Sequence, residues 1–205
     1  MLAAALLACG VAVVGMALLG GDFSAMGSAS ILVCFAVFGA VALWRSRPGG
    51  LFRVRAGDAL VAVFFGCAIR VVEGWAQGSP TFPSYPLLDG SLSSMWWLEE
   101  LVLPVVVAPV VEEFFFRAVI VVCVFGAIRP VLGARWAGPI AVLVSCGLFV
   151  LMHLGATPSG VIGVALLGAI CGTFVVTTGR IAPAIGTHAV YNLTYVALAW
   201  VGTPT

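Results

Sequence analysis

The sequence predicts an all-α protein, a polytopic membrane bundle of about seven transmembrane helices, and three observations support this class. Of the 205 residues, 62% are hydrophobic and only 8% are charged, against roughly 25% charged residues in ordinary soluble domains. The mean hydropathy is +1.21. Apolar runs such as 31–44 and 137–152 are long and unbroken, whereas a membrane β-barrel would show short strands of alternating polarity. A soluble globular protein and a disordered chain are therefore excluded.

The charge balance excludes nucleic acid as a partner and points to the lipid bilayer. The formal net charge is +1, so no basic surface is available for a phosphate backbone. Because each spanning helix needs roughly 20 residues, about seven spans would use most of the chain and leave almost no extramembrane domain. We therefore expect any chemistry to take place within the membrane or at its edge.

Glycine, proline and arginine mark the breaks between successive apolar segments, as expected where helices end. The predicted spans are 2–20, 29–44, 58–73, 97–128, 137–154, 159–178 and 182–201. Residues 74–95 form the longest loop. At 1.5 Å per residue the fourth span would be about 48 Å long, beyond the roughly 30 Å hydrocarbon core. Pro104 and Pro109 are therefore expected to kink or break it.

The arginines predict the orientation of this multi-pass protein in the cell membrane. Seven of the nine fall in three loops on one side of a seven-span chain: Arg45, Arg47, Arg53, Arg55, Arg129, Arg135 and Arg180. The positive-inside rule makes that side, and the N-terminus, cytoplasmic. Trp96 and Trp97 stand where interfacial aromatic anchors are expected. We divide the chain into N-terminal membrane helices with an outer loop (residues 1–95, about three spans) and a core of about four spans (residues 96–205).

A few ionisable residues lie inside the predicted spans, where such residues are rare and functional by default. Glu112 and Glu113 follow an apolar run and precede three phenylalanines, after which Arg117 follows. Glu113 and Arg117 are four residues apart, so they share a helix face and are expected to pair. Glu112 points about 100° away and has no local partner. A carboxylate left unpaired in an apolar environment binds a proton readily, which suits a general base or acid.

The two histidines of the chain lie in the late spans. His153 ends the segment Phe149-Val-Leu-Met-His153, and His188 begins the segment His188-Ala-Val-Tyr-Asn192. Because His188 and Asn192 are four residues apart on a helix, they can present an imidazole and an amide to one point and stabilise an oxyanion. The structural alternatives are a Glu113–Arg117 clip between helices and histidines that are satisfied within the core.

Two chemistries fit these residues. In the first, which we prefer and which needs no cofactor, Glu112 with His153 deprotonates a water that attacks a peptide carbonyl. His188 with Asn192 then holds the tetrahedral oxyanion. In the second, Glu112, His153 and His188 bind Zn²⁺, which activates its own bound water. The HExxH signature of zinc proteases is absent from the sequence, and a metal leaves Asn192 without a role.

Three motifs in this order resemble those of the CPBP family of intramembrane proteases, also called the Abi or type II CAAX prenyl endopeptidase family. The correspondence is with its EExxxR motif at Glu112-Glu113-Phe-Phe-Phe-Arg117, its FxxxH motif at Phe149-Val-Leu-Met-His153 and its HxxxN motif at His188-Ala-Val-Tyr-Asn192. Residues 1–95 resemble the family only as generic membrane helices. The core at 96–205 would therefore be the catalytic part of the chain.

The resemblance implies an endopeptidase whose site lies in an internal cavity and whose substrates are peptides or membrane proteins, such as prenylated CAAX proteins. It assigns water activation to Glu112 and His153, the oxyanion hole to His188 and Asn192, and a supporting role to Glu113 and Arg117. Family members are described both as glutamate proteases and as metalloproteases, so zinc stays an alternative cofactor. A proton-relaying transporter and a non-catalytic immunity protein are the alternatives from other function classes.

The predicted span boundaries conflict with a shared site. Counted at 1.5 Å per residue, His188 lies about 10 Å beyond Arg180, whereas His153 lies about 27 Å beyond Arg135, near the far side of the membrane. Either the segment at 130–140 lies along the interface or the helices tilt strongly. We expect the motifs to outweigh the boundaries, and the two histidines to share one site.

Overall fold

The computed structural model describes residues 25–46, 49–87, 89–153 and 156–204 of the chain, so the predicted first span at 2–20 lies outside the described residues. The regular structure is helical throughout the described ranges, which confirms the all-α class. The elements are α1 (Ala25–Ser46), α2 (Ala56–Gln77), π1 (Trp97–Val107), α3 (Ala108–Glu113), π2 (Phe114–Val121), α4 (Val122–Leu151), α5 (Pro158–Thr178) and α6 (Ala182–Gly202).

Three helical segments in the described part of the chain are long and apolar enough to cross a membrane: Ala56–Gln77, Trp97–Leu151 and Pro158–Thr178. The apolar part of α1, Ile31–Trp44, is shorter. Large apolar side chains such as Leu60 and Trp75 lie exposed on the outside of α2, as expected for a helix that faces lipid. The structure therefore supports a helical membrane bundle, while the number of seven spans stays a prediction.

The long helical segment from Trp97 to Leu151 is broken at one point, Gly133. Its backbone has φ 76° and ψ 167°, a conformation that glycine adopts readily and other residues avoid. The sequence placed a break at 129–135, and the structure locates it at this residue. The boundaries differ from the predicted 128 and 137 because helical geometry continues through Pro130 and resumes directly after Gly133.

Two of the predicted arginine-bearing loops meet at one end of the bundle. The Ile181 amide donates to the Leu51 carbonyl at 2.9 Å, and Arg180 forms an ion pair with Asp58 in the first turn of α2. Arg180 is therefore a tie between two helix ends as well as a loop charge. The cytoplasmic location of this end stays a prediction.

At the opposite ends of α2 and α6, the loop before π1 packs onto α6. The Tyr85 amide donates to the Thr203 hydroxyl at 2.9 Å, and the Trp96 ring packs against Tyr85 and Trp200 with centroids 5.5 Å and 5.0 Å apart. Burial, with a smaller contribution from the Glu100 carboxylate, raises the pKa of Tyr85 to about 12. Of the two predicted aromatic anchors, only Trp97 is largely exposed, at 54%, because Trp96 is used to hold the loop.

An aromatic cluster in the core adjoins the predicted site. Phe35 of α1 stacks on Phe115 with ring centroids 4.2 Å apart, and Phe116 meets Phe149 edge to face at 5.0 Å. These four rings are buried, and offset or edge-to-face aromatic pairs stabilise a core by about 0.5–1.5 kcal/mol beyond their buried area. The cluster fixes π2 against α1 and α4, and so fixes the acidic residues just before π2.

Candidate active site

The junction of α3 and π2 places the two adjacent acids differently. Glu113 is fully buried, and its Oε2 lies 3.0 Å from Nε of Arg117, which is also fully buried. The pair expected from the i, i+4 spacing is therefore present. Glu112 retains 14% exposure of its side chain, and its Oε2 has no hydrogen-bond partner within the described residues. The two adjacent glutamates therefore differ in environment: Glu113 is buried in an ion pair, whereas Glu112 is partly exposed.

Arg117 has few polar partners for a buried cation. Its Cζ lies 4.6 Å from the centroid of the Phe149 ring, a distance at which the ring face attracts a cation. Neither terminal nitrogen has a hydrogen-bond partner in the described part of the chain. The Glu113 carboxylate is therefore its principal counter-charge, and loss of that carboxylate would leave an uncompensated charge in the core.

His188 of α6 links the two acids. Its Nδ1 lies 3.0 Å from Oε1 of Glu113, and its Nε2 lies 3.9 Å from Oε2 of Glu112. A carboxylate at Nδ1 fixes the ring orientation and keeps a proton on that nitrogen. The imidazole therefore presents Nε2 toward the Glu112 carboxylate, whose Oε2 has no hydrogen-bond partner among the described residues.

His153 follows the end of α4 and lies in the same region. Its Nδ1 lies 2.8 Å from the carbonyl oxygen of Phe149, and its ring packs on the Phe149 ring with centroids 4.6 Å apart. The His188 ring meets that same phenyl ring at 5.8 Å. The two histidines are thus neighbours through Phe149, so the separation in depth counted from the predicted span boundaries was wrong.

Asn192, one turn after His188, is held by a hydrogen bond to a backbone carbonyl of π1. Its Nδ2 donates to the carbonyl oxygen of Pro104 at 2.6 Å. In a π-helix an amide bonds to the carbonyl five residues earlier, and at the end of π1 the Ala108 amide donates to the Leu103 carbonyl in this way. The next bond in that series would join residue 109 to the Pro104 carbonyl, but Pro109 has no N–H. Pro109 therefore leaves the carbonyl of residue 104 without this backbone donor, and Asn192 donates one of its two amide hydrogens to it.

A second polar cluster, which the sequence reasoning missed, connects α2 and α6. Arg70 donates to Glu73 at 2.6 Å and to the Tyr191 carbonyl at 2.8 Å, and the Tyr191 hydroxyl donates to Glu73 at 2.5 Å. A Cβ on Gly163 would lie only 2.5 Å from that hydroxyl. Arg70 and Glu73 lie at the end of the predicted span 58–73, and their i, i+3 spacing within an apolar run was a signal of a pair inside a helix.

A cavity of about 320 Å³ lies between this second cluster and Asn192. Its walls come from α2, π1, the start of α5, and α6. The lining residues that carry polar side chains are Arg70, Glu73, Glu100, Thr157, Tyr191, Asn192 and Tyr195. Asn192 and Pro104 belong both to this cavity and to the hydrogen bond described above, so the cavity adjoins the predicted site.

The histidine and carboxylate donors of the described residues are not arranged as a catalytic zinc site. Within the described residues, no three His, Cys, Asp or Glu side chains are grouped so that they could hold one metal ion. Nδ1 of each histidine is already directed at an oxygen. Of the three predicted ligands, Glu112 and His188 approach each other at 3.9 Å. These donors do not converge as the three protein ligands that a catalytic zinc site uses.

The part of the chain that contains the three motifs matches a known protein family. Residues 94–194, about half of the chain, match the family model of the type II CAAX prenyl endopeptidase Rce1-like proteins. The matched segment includes all three motifs and both histidines. No curated protein and no solved structure matches the chain. Together with the membrane helices, the match shows that the chain belongs to the type II CAAX prenyl endopeptidase Rce1-like family of intramembrane proteases.

Proposed function

We propose that this protease hydrolyses peptide bonds of a membrane-associated polypeptide with water activated by Glu112. The observation that carries the proposal is the Oε2 atom of Glu112, which lies in a partly buried position with no hydrogen-bond partner among the described residues. An acceptor in that state costs free energy unless something binds it. A water molecule poised for attack provides the missing donor.

In the first step Glu112 takes a proton from this water while the water oxygen forms a bond to the substrate carbonyl carbon. His153 supports the step, because its Nδ1–H donates to the Phe149 carbonyl and leaves Nε2 as an acceptor. The carbonyl π electrons move to oxygen and form a tetrahedral oxyanion. General base catalysis of this kind accelerates a reaction by about 10²–10⁴-fold.

His188 and Asn192 are proposed to stabilise the oxyanion. In this role the His188 ring donates a hydrogen bond from each of its two nitrogens. With Nδ1–H donated to Glu113, Nε2–H is available to the oxyanion, as is the second amide hydrogen of Asn192.

In the last step the oxyanion collapses, the carbonyl is restored and the carbon–nitrogen bond breaks. The departing amine takes the proton that Glu112 received from water, so the carboxylate returns to its starting state. The same residue therefore acts first as base and then as acid. No step is assigned to a metal.

Cleavage of a quenched fluorescent peptide library by the purified protein in detergent tests this proposal. We expect cleavage by the wild type, a loss of about 10²-fold or more in His153→Ala, and no change on adding a chelator. Proton-driven flux into vesicles without any cleavage would favour the transporter alternative. Loss of activity with the chelator, followed by recovery with Zn²⁺, would favour the metalloprotease.

Pro109 gives a separate test of the role of Asn192. In Pro109→Ala the new N–H completes the π-type series and competes with Asn192 for the Pro104 carbonyl. We expect kcat to fall by roughly 10–100-fold, up to the loss caused by removing one oxyanion donor, with little change in KM. The measurement is steady-state kinetics on one cleaved peptide.

The matched control is Pro104→Ala, which removes the other proline of π1 but keeps the carbonyl at position 104. We expect it to retain most of the activity. In the background of Asn192→Ala, Pro109→Ala should cause no further loss of kcat, because the group it displaces is already absent. Additive effects in the double variant would contradict this positioning role.

A further inference from the structure

The cavity beside Asn192 differs in character from the buried cluster of Glu112, Glu113 and Arg117. It is partly open, lies between α2 and α6, and contains one cation and two acids, Arg70, Glu73 and Glu100. Its volume of about 320 Å³ is in the lower range of ligand pockets, which run from roughly 300 to 1,000 Å³. It has room for one long substrate side chain.

Arg70 is not available to bind an anionic substrate group. Its guanidinium donates to Glu73 and to the Tyr191 carbonyl, and its Cζ lies 3.9 Å from the centroid of the Tyr191 ring. The remaining nitrogen, Nε, is buried and has no hydrogen-bond partner among the described residues. The positive charge in the wall is therefore already neutralised and enclosed.

Glu73 is also committed within the wall. Its Oε2 accepts hydrogen bonds from Arg70 at 2.6 Å and from the Tyr191 hydroxyl at 2.5 Å. Arg70 and Glu73 thus form a neutral, internally bonded unit that stabilises the contact between α2 and α6. This unit supplies a wall of the cavity and no net charge.

Glu100 is the remaining charge. It lines the cavity from the first turn of π1, and among the described residues no side chain forms an ion pair with it. The adjacent Glu99 is exposed and does not line the cavity. A recess concentrates the field of a carboxylate that has no counter-charge, so that it attracts a cation and repels an anion.

We infer that this cavity binds a basic side chain or amino group of the substrate and that the Glu100 carboxylate selects it. The inference rests on the proposed endopeptidase function and adds a substrate class to it. Because Asn192 lines the same cavity, the basic group belongs close to the scissile bond. An acidic group at that position would meet Glu100 with like charge and be disfavoured.

The test uses the purified full-length protein in detergent and sets of quenched peptides that differ at one position near the cleaved bond. Each set carries lysine, its uncharged isostere norleucine, or glutamate at that position. We expect kcat/KM to be about 10-fold or more higher for lysine than for norleucine, equal to about 1.4 kcal/mol of transition-state binding. The glutamate peptide is expected to be the poorest substrate.

Variants of two neighbouring residues show whether Glu100 causes the preference for lysine. Glu100→Gln should reduce the lysine to norleucine ratio toward one, whereas Glu99→Gln, which removes the same charge from the adjacent exposed position, should retain it. Equal cleavage of all peptides by the wild type, or a ratio that persists in Glu100→Gln, would overturn the inference while leaving the proposed protease intact. If no peptide of any sequence is cleaved, the proposed function itself fails.

Discussion

Replacing Glu112 with glutamine is expected to abolish peptide cleavage while leaving the fold as stable as in the wild type. The glutamine side chain has nearly the same shape but cannot accept the proton of the attacking water. We expect kcat to fall by about 10²–10⁴-fold, the range that a general base contributes. Oε2 of Glu112 has no hydrogen-bond partner among the described residues, and its ion-pair contact with Nε2 of His188 is long, at 3.9 Å, so the change should cost little stability.

The measurement combines kcat on one cleaved peptide with the thermal unfolding midpoint in detergent. An unchanged or raised midpoint together with lost activity is typical of a residue retained for chemistry at some cost in stability. The adjacent Glu113→Gln serves as the contrast, because that carboxylate is fully buried between Arg117 and His188 and its loss should lower the midpoint. Full activity in Glu112→Gln would rule out the proposed mechanism.

Breaking the buried Glu113–Arg117 pair is expected to have the largest effect on stability. Both side chains have 0% exposure, and Arg117→Met removes the charge while keeping a long apolar side chain. Glu113 then loses its nearest cation, and removing one partner of such a pair lowers the free energy of unfolding by about 3–5 kcal/mol. Chemical denaturation in detergent, followed by tryptophan fluorescence, measures this loss.

The double variant Glu113→Gln/Arg117→Met provides the decisive comparison. With both charges removed, no uncompensated charge remains in the core, so part of the lost stability should return. Arg135→Met is the matched control, since Arg135 is exposed and its replacement should change the free energy of unfolding by less than about 0.5 kcal/mol. A double variant less stable than either single variant would contradict the pairing.

Several helices were predicted within a few residues of their positions in the structure. The predicted spans 58–73, 159–178 and 182–201 correspond to α2, α5 and α6 at Ala56–Gln77, Pro158–Thr178 and Ala182–Gly202. Uninterrupted apolar sequence and helix-starting prolines carry this information locally. The π-helical geometry of Trp97–Val107 and Phe114–Val121 was not predicted, because the same residue types are compatible with an α-helix.

The candidate site was predictable where it depends on short spacing. The ion pair of Glu113 with Arg117 follows from four residues on one helix, and the structure has it at 3.0 Å. The pairing of Arg70 and Glu73 with Tyr191 joins residues about 120 positions apart in the sequence. No local pattern specifies such a contact, so the second cluster and its cavity became visible only in the structure.

The sequence alone determined that this protein belongs in a membrane, that its helices are apolar, and which few ionisable residues stand out within them. Composition and spacing are sufficient for this, because lipid excludes unpaired charge from ordinary positions. Only the tertiary structure decided how those residues are arranged. In the structure Glu112 and Glu113 have different partners. His153 and His188 both pack against the ring of Phe149. Asn192 donates to the carbonyl for which Pro109 supplies no backbone donor. Those relations depend on how distant helices pack, and packing is a property of the whole bundle.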